Sequence, residues 1–289
     1  MSTGTGTGIR TESGPGPGPA SGPGPERPRR RGWWILVAAL SALFVVAPLV
    51  FGLYGEFFGR EASHSSVETN DHHAVRAVQI DSGSAQVTVG PGADGEVRVK
   101  ERLSWSLRKP KVTKEWDGDT LKLRPECGGL LSVTGLDCSV QLDLTVPAGV
   151  ELKVKNGSGA VRVTGLTGPV DVRAGSGSVK LYGVRGPITG SVDSGSLNGS
   201  AIGSADAEVR VRSGQASLEF VAPPRRVSAS SGSGSVEVSL PPGSRYRVAG
   251  KAGSGVRDVD DALVDPASAR MLTISTGSGS ASAGYANWQ

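Results

Sequence analysis

Beyond residue 73 the sequence contains no histidine, and the three it has, His64, His72 and His73, fall in one short polar stretch. Ser-His and Cys-His nucleophilic chemistry is thereby excluded downstream, and no G-x-S-x-G elbow is present. Cysteine is as scarce: Cys127 and Cys138 stand alone, separated by GGLLSVTGLD. A two-cysteine metal site would need further ligands, whereas in an oxidising compartment the pair reads as a disulfide, worth about 2–3 kcal/mol for so short a loop. Aromatics are 5% and charged residues 20% of the chain, against 43 glycines. Glycine in that quantity disfavours long helices, at about 1 kcal/mol per interior position relative to alanine. Phosphate loops are missing too, since no glycine-rich stretch has G-x-x-x-x-G-K-[ST] or G-x-G-x-x-G spacing before a helix. No aspartate follows those stretches at a fixed place, which excludes the calcium-binding nonapeptide. Neither a cofactor nor a metal is expected.

The formal charge of +4 suggests a nucleic-acid partner only until it is located. Part of the excess is one run, RPRRR at Arg27 to Arg31, rather than a folded face, so no nucleic acid is expected. Residues 1–25 are Gly, Pro, Ser and Thr with almost no large apolar side chain, the composition of a disordered tail. WWILVAALSALFVVAPLVFGLY, Trp33 to Tyr54, then carries no charge over 22 residues. As a helix it measures about 33 Å against a hydrocarbon core of about 30 Å. Trp33 and Trp34 at one end and Tyr54, Phe57 and Phe58 at the other match interfacial aromatic belts, and Pro48 is tolerable within a spanning helix. The arginines before the span place the N-terminus in the cytoplasm and everything after Tyr54 outside. A cleaved signal peptide is the competing reading; the long leader, the length of the run and the want of a small-x-small site argue against it. The expected organisation is a cytoplasmic tail with its basic run (1–32), a transmembrane helix (33–54), a juxtamembrane linker (55–74), an N-terminal β cap with the cysteine pair (75–147) and β-solenoid repeats (148–289).

The repeats carry most of the information. VKNGSGAVRV at Val154 recurs as VRAGSGSVKL at Val172, SVDSGSLNG at Ser191, VRSGQASLEF at Val211, ASSGSGSVEVSL at Ala229, AGKAGSGVRDV at Ala249 and STGSGSASA at Ser275. VQIDSGSAQVTV at Val78 reads as an earlier copy. Aligned on the serine, Leu152, Val170, Ile188, Ala207 and Val227 share a column; beyond the corner so do Val161, Val179, Leu197 and Val236. Period-two alternation puts these apolar sets on one side of each strand. Gly-Ser-Gly-Ser is then a corner between two short strands, with Ser158-Gly159, Ser176-Gly177, Ser194-Gly195, Ser213-Gly214 and Ser233-Gly234 as its residues. Positive φ is the expected reason for the glycines, and ladders or bonds to neighbouring backbone for the serines. TGLTGP and YGVRGP mark a second corner. One such unit cannot bury its apolar face alone, so stacking at about 4.8 Å into an all-β, β-solenoid ectodomain is expected.

Between the apolar columns runs an outward one, Lys155, Arg173, Ser191, Arg210 and Ser230. Lys155, Arg173 and Arg210 read as a solvated face or as a basic ladder for an anionic cell-wall polymer or an acidic partner. Asp171 and Asp193 sit in different columns, so they are not expected to converge as a glycosidase pair. Asn156-Gly157-Ser158 and Asn198-Gly199-Ser200 match a glycosylation sequon, with Asn-Gly turn chemistry as the simpler account.

The N-terminal span, the VxVxxGSGxVxV repeat with Gly-Pro second corners and the want of a catalytic constellation together resemble the bacterial "putative adhesin" β-strand-repeat family of envelope proteins, a family of unknown function. The resemblance covers Val75 to Gln289 and implies a β-solenoid ectodomain with a role in adhesion or in sensing envelope stress, with no active site to carry over. The expectation is a non-enzymatic, extracytoplasmic binding module anchored in the cytoplasmic membrane through residues 33–54. An accessory sensor acting on a membrane protein partner is the alternative, and a carbohydrate-active enzyme the third.

Overall fold

The computed structural model describes residues 31–58, 60–68, 75–92, 96–105, 109–127 and 138–286, with backbone alone at 31–34, 49–58, 60 and 67–68. Residues 1–30 of the expected tail, His72 and His73 fall outside what is described, as do the side chains of the aromatic belts. A helix, α1 (Arg31–Phe58), forms where the apolar run predicted one. No helix of the described residues is long and apolar enough to cross a membrane; within α1 the side chains described are those of 35–48.

Among the described residues after α1, all is strand and turn apart from one 3-10 turn, Asp261–Leu263. In chain order come β1 (Arg60–Glu68), β2 (Ala77–Gly83), β3 (Gln86–Gly92), β4 (Val97–Trp105), β5 (Lys111–Asp117), β6 (Thr120–Glu126) and β7 (Cys138–Pro147). The repeats follow as β8 (Glu151–Asn156), β9 (Ala160–Thr164), β10 (Val170–Ala174), β11 (Ser178–Tyr182), β12 (Ile188–Val192), β13 (Ser196–Ile202), β14 (Asp206–Val211), β15 (Gln215–Phe220), β16 (Arg226–Ser231) and β17 (Ser235–Leu240). Last are β18 (Arg247–Ala249), β19 (Val256–Val259), β20 (Met271–Thr276) and β21 (Ser280–Tyr285). From β6 onward the chain alternates between two sheets, so each Ser-Gly corner of the repeats joins a strand of one to a strand of the other. Such a pair is a rung, and successive rungs pair in parallel.

The predicted columns are the observed registers. Val170 stands between Leu152 and Ile188, and Ile188 beside Ala207, while Val179 stands between Val161 and Leu197. Valine and leucine suit these positions because β-branched and apolar side chains pack well on a pleated, half-buried surface. The inward sets meet in one core in which Leu152, Val163, Leu181, Leu197 and Leu218 are buried. Backbone groups at the corners are satisfied from rung to rung: Ser176 N–H donates to Gly157 O at 2.8 Å, Ser194 N–H to Gly175 O at 2.9 Å and Ser213 N–H to Asp193 O at 2.8 Å.

Several expected boundaries move. Residues 75–92 are not part of a cap: β2 and β3 lie in register with β8 and β9, so the copy at Val78 is a full rung. The rung β6/β7 stacks outside it, parallel to β2 and β3, and β5 and β4 extend the two sheets antiparallel. The linker expected at 55–74 holds β1, antiparallel to β4 from Arg60 opposite Trp105 to Glu68 opposite Val97. REASHSSVE has no apolar alternation to betray a strand; its pairing is carried by the exposed backbone edge of β4. Behind that edge Lys114 Nζ lies 2.9 Å from Glu101 Oε1 and donates to Ser66 Oγ at 2.5 Å, joining β5 to β4 and β1.

At the other end stacking order departs from chain order. The final rung, β20/β21, inserts against β16/β17 and leaves β18/β19 outermost. The reason lies in what each rung offers the core: Leu272, Ile274, Ala281 and Ala283 are buried, whereas the corresponding positions of β18/β19 include only Val248, Val259 and the exposed Arg257. A charge in an inward position of an edge strand also discourages further pairing.

Candidate functional site

The corner serines predicted from the repeat do come together. Ser158, Ser176, Ser194 and Ser213, with Gly159, Gly177, Gly195, Gly214 and Gly234, line an open groove of about 880 Å³ that crosses the rungs from Gln86 to Ser235. Ser233 is an exposed member of the same series. The hydroxyls face solvent; one rung-to-rung contact of the expected ladder kind is made at the C-terminal end, Ser254 Oγ to Ser278 Oγ at 3.3 Å.

The reason for the glycines differs from the expected one. None of these corner glycines has positive φ; the second corner does, at Gly165 and Gly183, both with φ +64°. In the first corner the constraint is approach: a Cβ on Gly177 would lie 2.1 Å from the carbonyl oxygen of Gly159, and one on Gly195 would lie 1.8 Å from that of Gly177. The sequon at Asn156 is likewise structural. Its side chain is buried, accepts from Ser82 Oγ at 3.0 Å and donates to Gly159 O at 2.7 Å.

Lys155, Arg173 and Arg210 occupy one outward column of the ten-stranded sheet, with Ser191 between the two arginines. The same face supplies carboxylates two residues earlier. Arg173 Nη2 lies 3.3 Å from Asp171 Oδ2, Arg210 pairs with Glu208, and Asp81 stands opposite Lys155 on the neighbouring strand. Lys153 bonds Glu151 at 2.6 Å, and the carboxylate holds its ammonium above the usual lysine range. Such exposed pairs contribute only about 0–1 kcal/mol each, but they leave the column close to neutral. Asp193, the second carboxylate weighed as a catalytic partner, lies 3.4 Å from Arg212.

Cys127 and Cys138 form a disulfide. It bridges the end of β6 to the start of β7, where other rungs have a Ser-Gly corner; residues 128–137 between them lie outside the described residues. Sequence reasoning passed over two neighbouring cations that have no ion-pair partner among the described residues. Arg162 and Lys180 lie on the other sheet, in AVRVT and SVKLY, strands with no carboxylate at all. That difference from VDVRA and DAEVRV is visible in the sequence.

No family model matches the chain, and no curated protein does. Solved structures do. The chain is similar to a "putative lipid binding protein" from Parabacteroides distasonis at 14% identity and TM-score 0.48, covering 78% of this chain and 97% of that one. A "putative adhesin" from the same organism matches at 13% identity and TM-score 0.47, over 77% and 97% of the two chains. A "putative cell adhesion protein" from Clostridium sporogenes matches at 10% identity and TM-score 0.35, over 78% and 99%. Adhesin designations of this kind are the ones the sequence resemblance named.

Proposed function

We infer that the protein is a membrane-anchored, non-enzymatic binding module whose rungs wind as a β-solenoid outside the cytoplasmic membrane, where it engages the cell envelope or a neighbouring surface as an adhesin does. The observation that carries this reading is the outward lattice itself. The registers repeat each outward position at the strand spacing of about 4.8 Å, and the groove at the corners is open and lined by hydroxyls and backbone. A shallow repeating surface suits an extended polymer better than a small molecule, which needs a concave site burying most of its area. The anchor reading rests on the uncharged run at Trp33 to Tyr54 and the arginines before it.

Two measurements test it. Protease added to intact protoplasts should remove the C-terminal domain, and a protected domain would reverse the topology. Detergent-solubilised full-length chain should pellet with purified cell-wall sacculi at low salt; a chain that stays in the supernatant at every salt concentration argues against a wall ligand. A second reading, an accessory sensor, is favoured by one feature: α1 ends at Phe58 and β1 begins at Arg60. A strand starting there gives a membrane partner a direct route to the sheet. Crosslinking in membranes that captures a single membrane protein would support this second reading.

A further inference from the structure

On the outer face of the eleven-stranded sheet, three adjacent strands present a small grid of side chains. Register places Arg162, Lys180 and Asn198 in one row across β9, β11 and β13, and Thr164, Tyr182 and Ser200 in the next. These six line a depression of about 360 Å³. Tyr182 is 57% exposed, an aromatic ring left in water on a chain with few aromatics. Neither Arg162 nor Lys180 has an ion-pair partner among the described residues. The nearest carboxylates in their row are Asp143, two strands from Arg162 and held by Arg102 at 3.1 Å, and Glu237, three strands from Lys180. Like charges directly opposite on adjacent strands are destabilising, so this pair costs the fold something and gets no relief from within it.

We propose that this patch is a binding site for an anionic polysaccharide, an assignment that rests on the binding-module reading above and names the ligand class and the residues. A sugar carboxylate accepts charge-assisted hydrogen bonds from the Arg162 guanidinium and the Lys180 ammonium. The Tyr182 ring offers an apolar face to the sugar ring, with its hydroxyl at the wet edge. Asn198, Thr164 and Ser200 supply donors and acceptors for sugar hydroxyls. Ser178, two residues before Lys180 on the same face, also lines the corner groove. A chain longer than one sugar therefore has a hydroxyl-lined path, about 13 Å from Tyr182 to Ser178 at 3.3 Å per residue. The basic ladder on the opposite sheet does not compete, because Asp171 and Glu208 already occupy two of its members.

The test uses full-length chain in detergent with three probes: polygalacturonate, its methyl ester and inorganic polyphosphate. Polygalacturonate should bind, with affinity falling as salt is raised, and the ester should bind at least about tenfold more weakly. Arg162→Ala with Lys180→Ala should weaken polygalacturonate at least about tenfold, and Tyr182→Ala about tenfold, while Lys155→Ala with Arg173→Ala should leave it unchanged. All these positions are exposed, so the variants are expected to fold, which circular dichroism checks. Polyphosphate binding as tightly as polygalacturonate with no loss in Tyr182→Ala would reduce the site to ion exchange and overturn the glycan assignment. Equal losses from ladder and patch variants, or no binding of polygalacturonate, would overturn it too. If wild type still pelleted with sacculi in those cases, the binding-module reading would stand and this patch alone would fall.

Discussion

A Cβ placed on Gly214 would lie 1.8 Å from the carbonyl oxygen of Gly195, the residue one rung below it. Neither side of that contact is a flexible side chain, so an alanine there must push two rungs apart. Gly214→Ala is expected to cost about 3 kcal/mol, while Ser213→Ala at the exposed neighbour should stay within about 0.5 kcal/mol. Urea unfolding of the two variants separates them. Equal effects would mean that close approach does not set the corner.

The second corner makes a different prediction. Gly165 and Gly183 adopt φ +64° there, and at the same place one rung on stands Ala201 with φ +52°. Left-handed backbone costs an L-residue roughly 1–2 kcal/mol, part of which a glycine gives back through the entropy of the unfolded chain. Ala201→Gly should therefore stabilise the domain by about 0.5–1 kcal/mol and raise the melting temperature by about 1–4 °C. A lower melting temperature would show that packing at Ala201 outweighs its backbone strain.

The apolar columns were legible because one pattern, read at period two, decides both face and register. Val161, Val179 and Leu197 needed no information beyond their spacing. The order of the outer rungs was not legible in the same way, since VRDV and SASAGY carry the same corner signal and differ only in how much they offer the core. β1 escaped because an edge strand held by backbone needs no apolar side chains. Neutralisation of the basic ladder was in plain view: Asp171 and Glu208 sit two residues before Arg173 and Arg210, hence on the same face. Counting cations without their carboxylate neighbours drew attention to the sheet whose arginines are already paired.

Tyr246 is fully buried, and its hydroxyl has no hydrogen-bond partner among the described residues. Burial pushes its pKa above the ordinary 10.0, and the opposing influences of Ser244 and Arg270 are smaller. The folded state thus holds the phenolic proton more tightly than the unfolded one. The resulting contribution is fully present below pH about 10 and is lost as pH rises through the higher folded value. Tyr246→Phe should be neutral or mildly stabilising at pH 7, since it removes an unsatisfied buried group, and its advantage over wild type should grow above pH 10. A difference between the two proteins that stays flat from pH 7 to 11 would contradict this.

The last prediction concerns the N-terminal end, where Glu101 and Lys114 face each other with side chains 8% and 20% exposed. Their contact is one of charge at 2.9 Å rather than of an aligned hydrogen bond, since Glu101 Oε1 has no partner by hydrogen-bond geometry. Removing one member of a buried pair strands the other, typically at about 3–5 kcal/mol, whereas replacing both with apolar groups is often neutral or better. Lys114→Met should therefore destabilise by about 3 kcal/mol and also loosen β1, because Lys114 donates to Ser66. Glu101→Leu with Lys114→Met should recover most of the stability but not that tie. Thermal unfolding gives the first quantity and amide exchange along β1 the second. If the double variant were as unstable as the single one, the pair would be supporting the sheet edge through more than its charge.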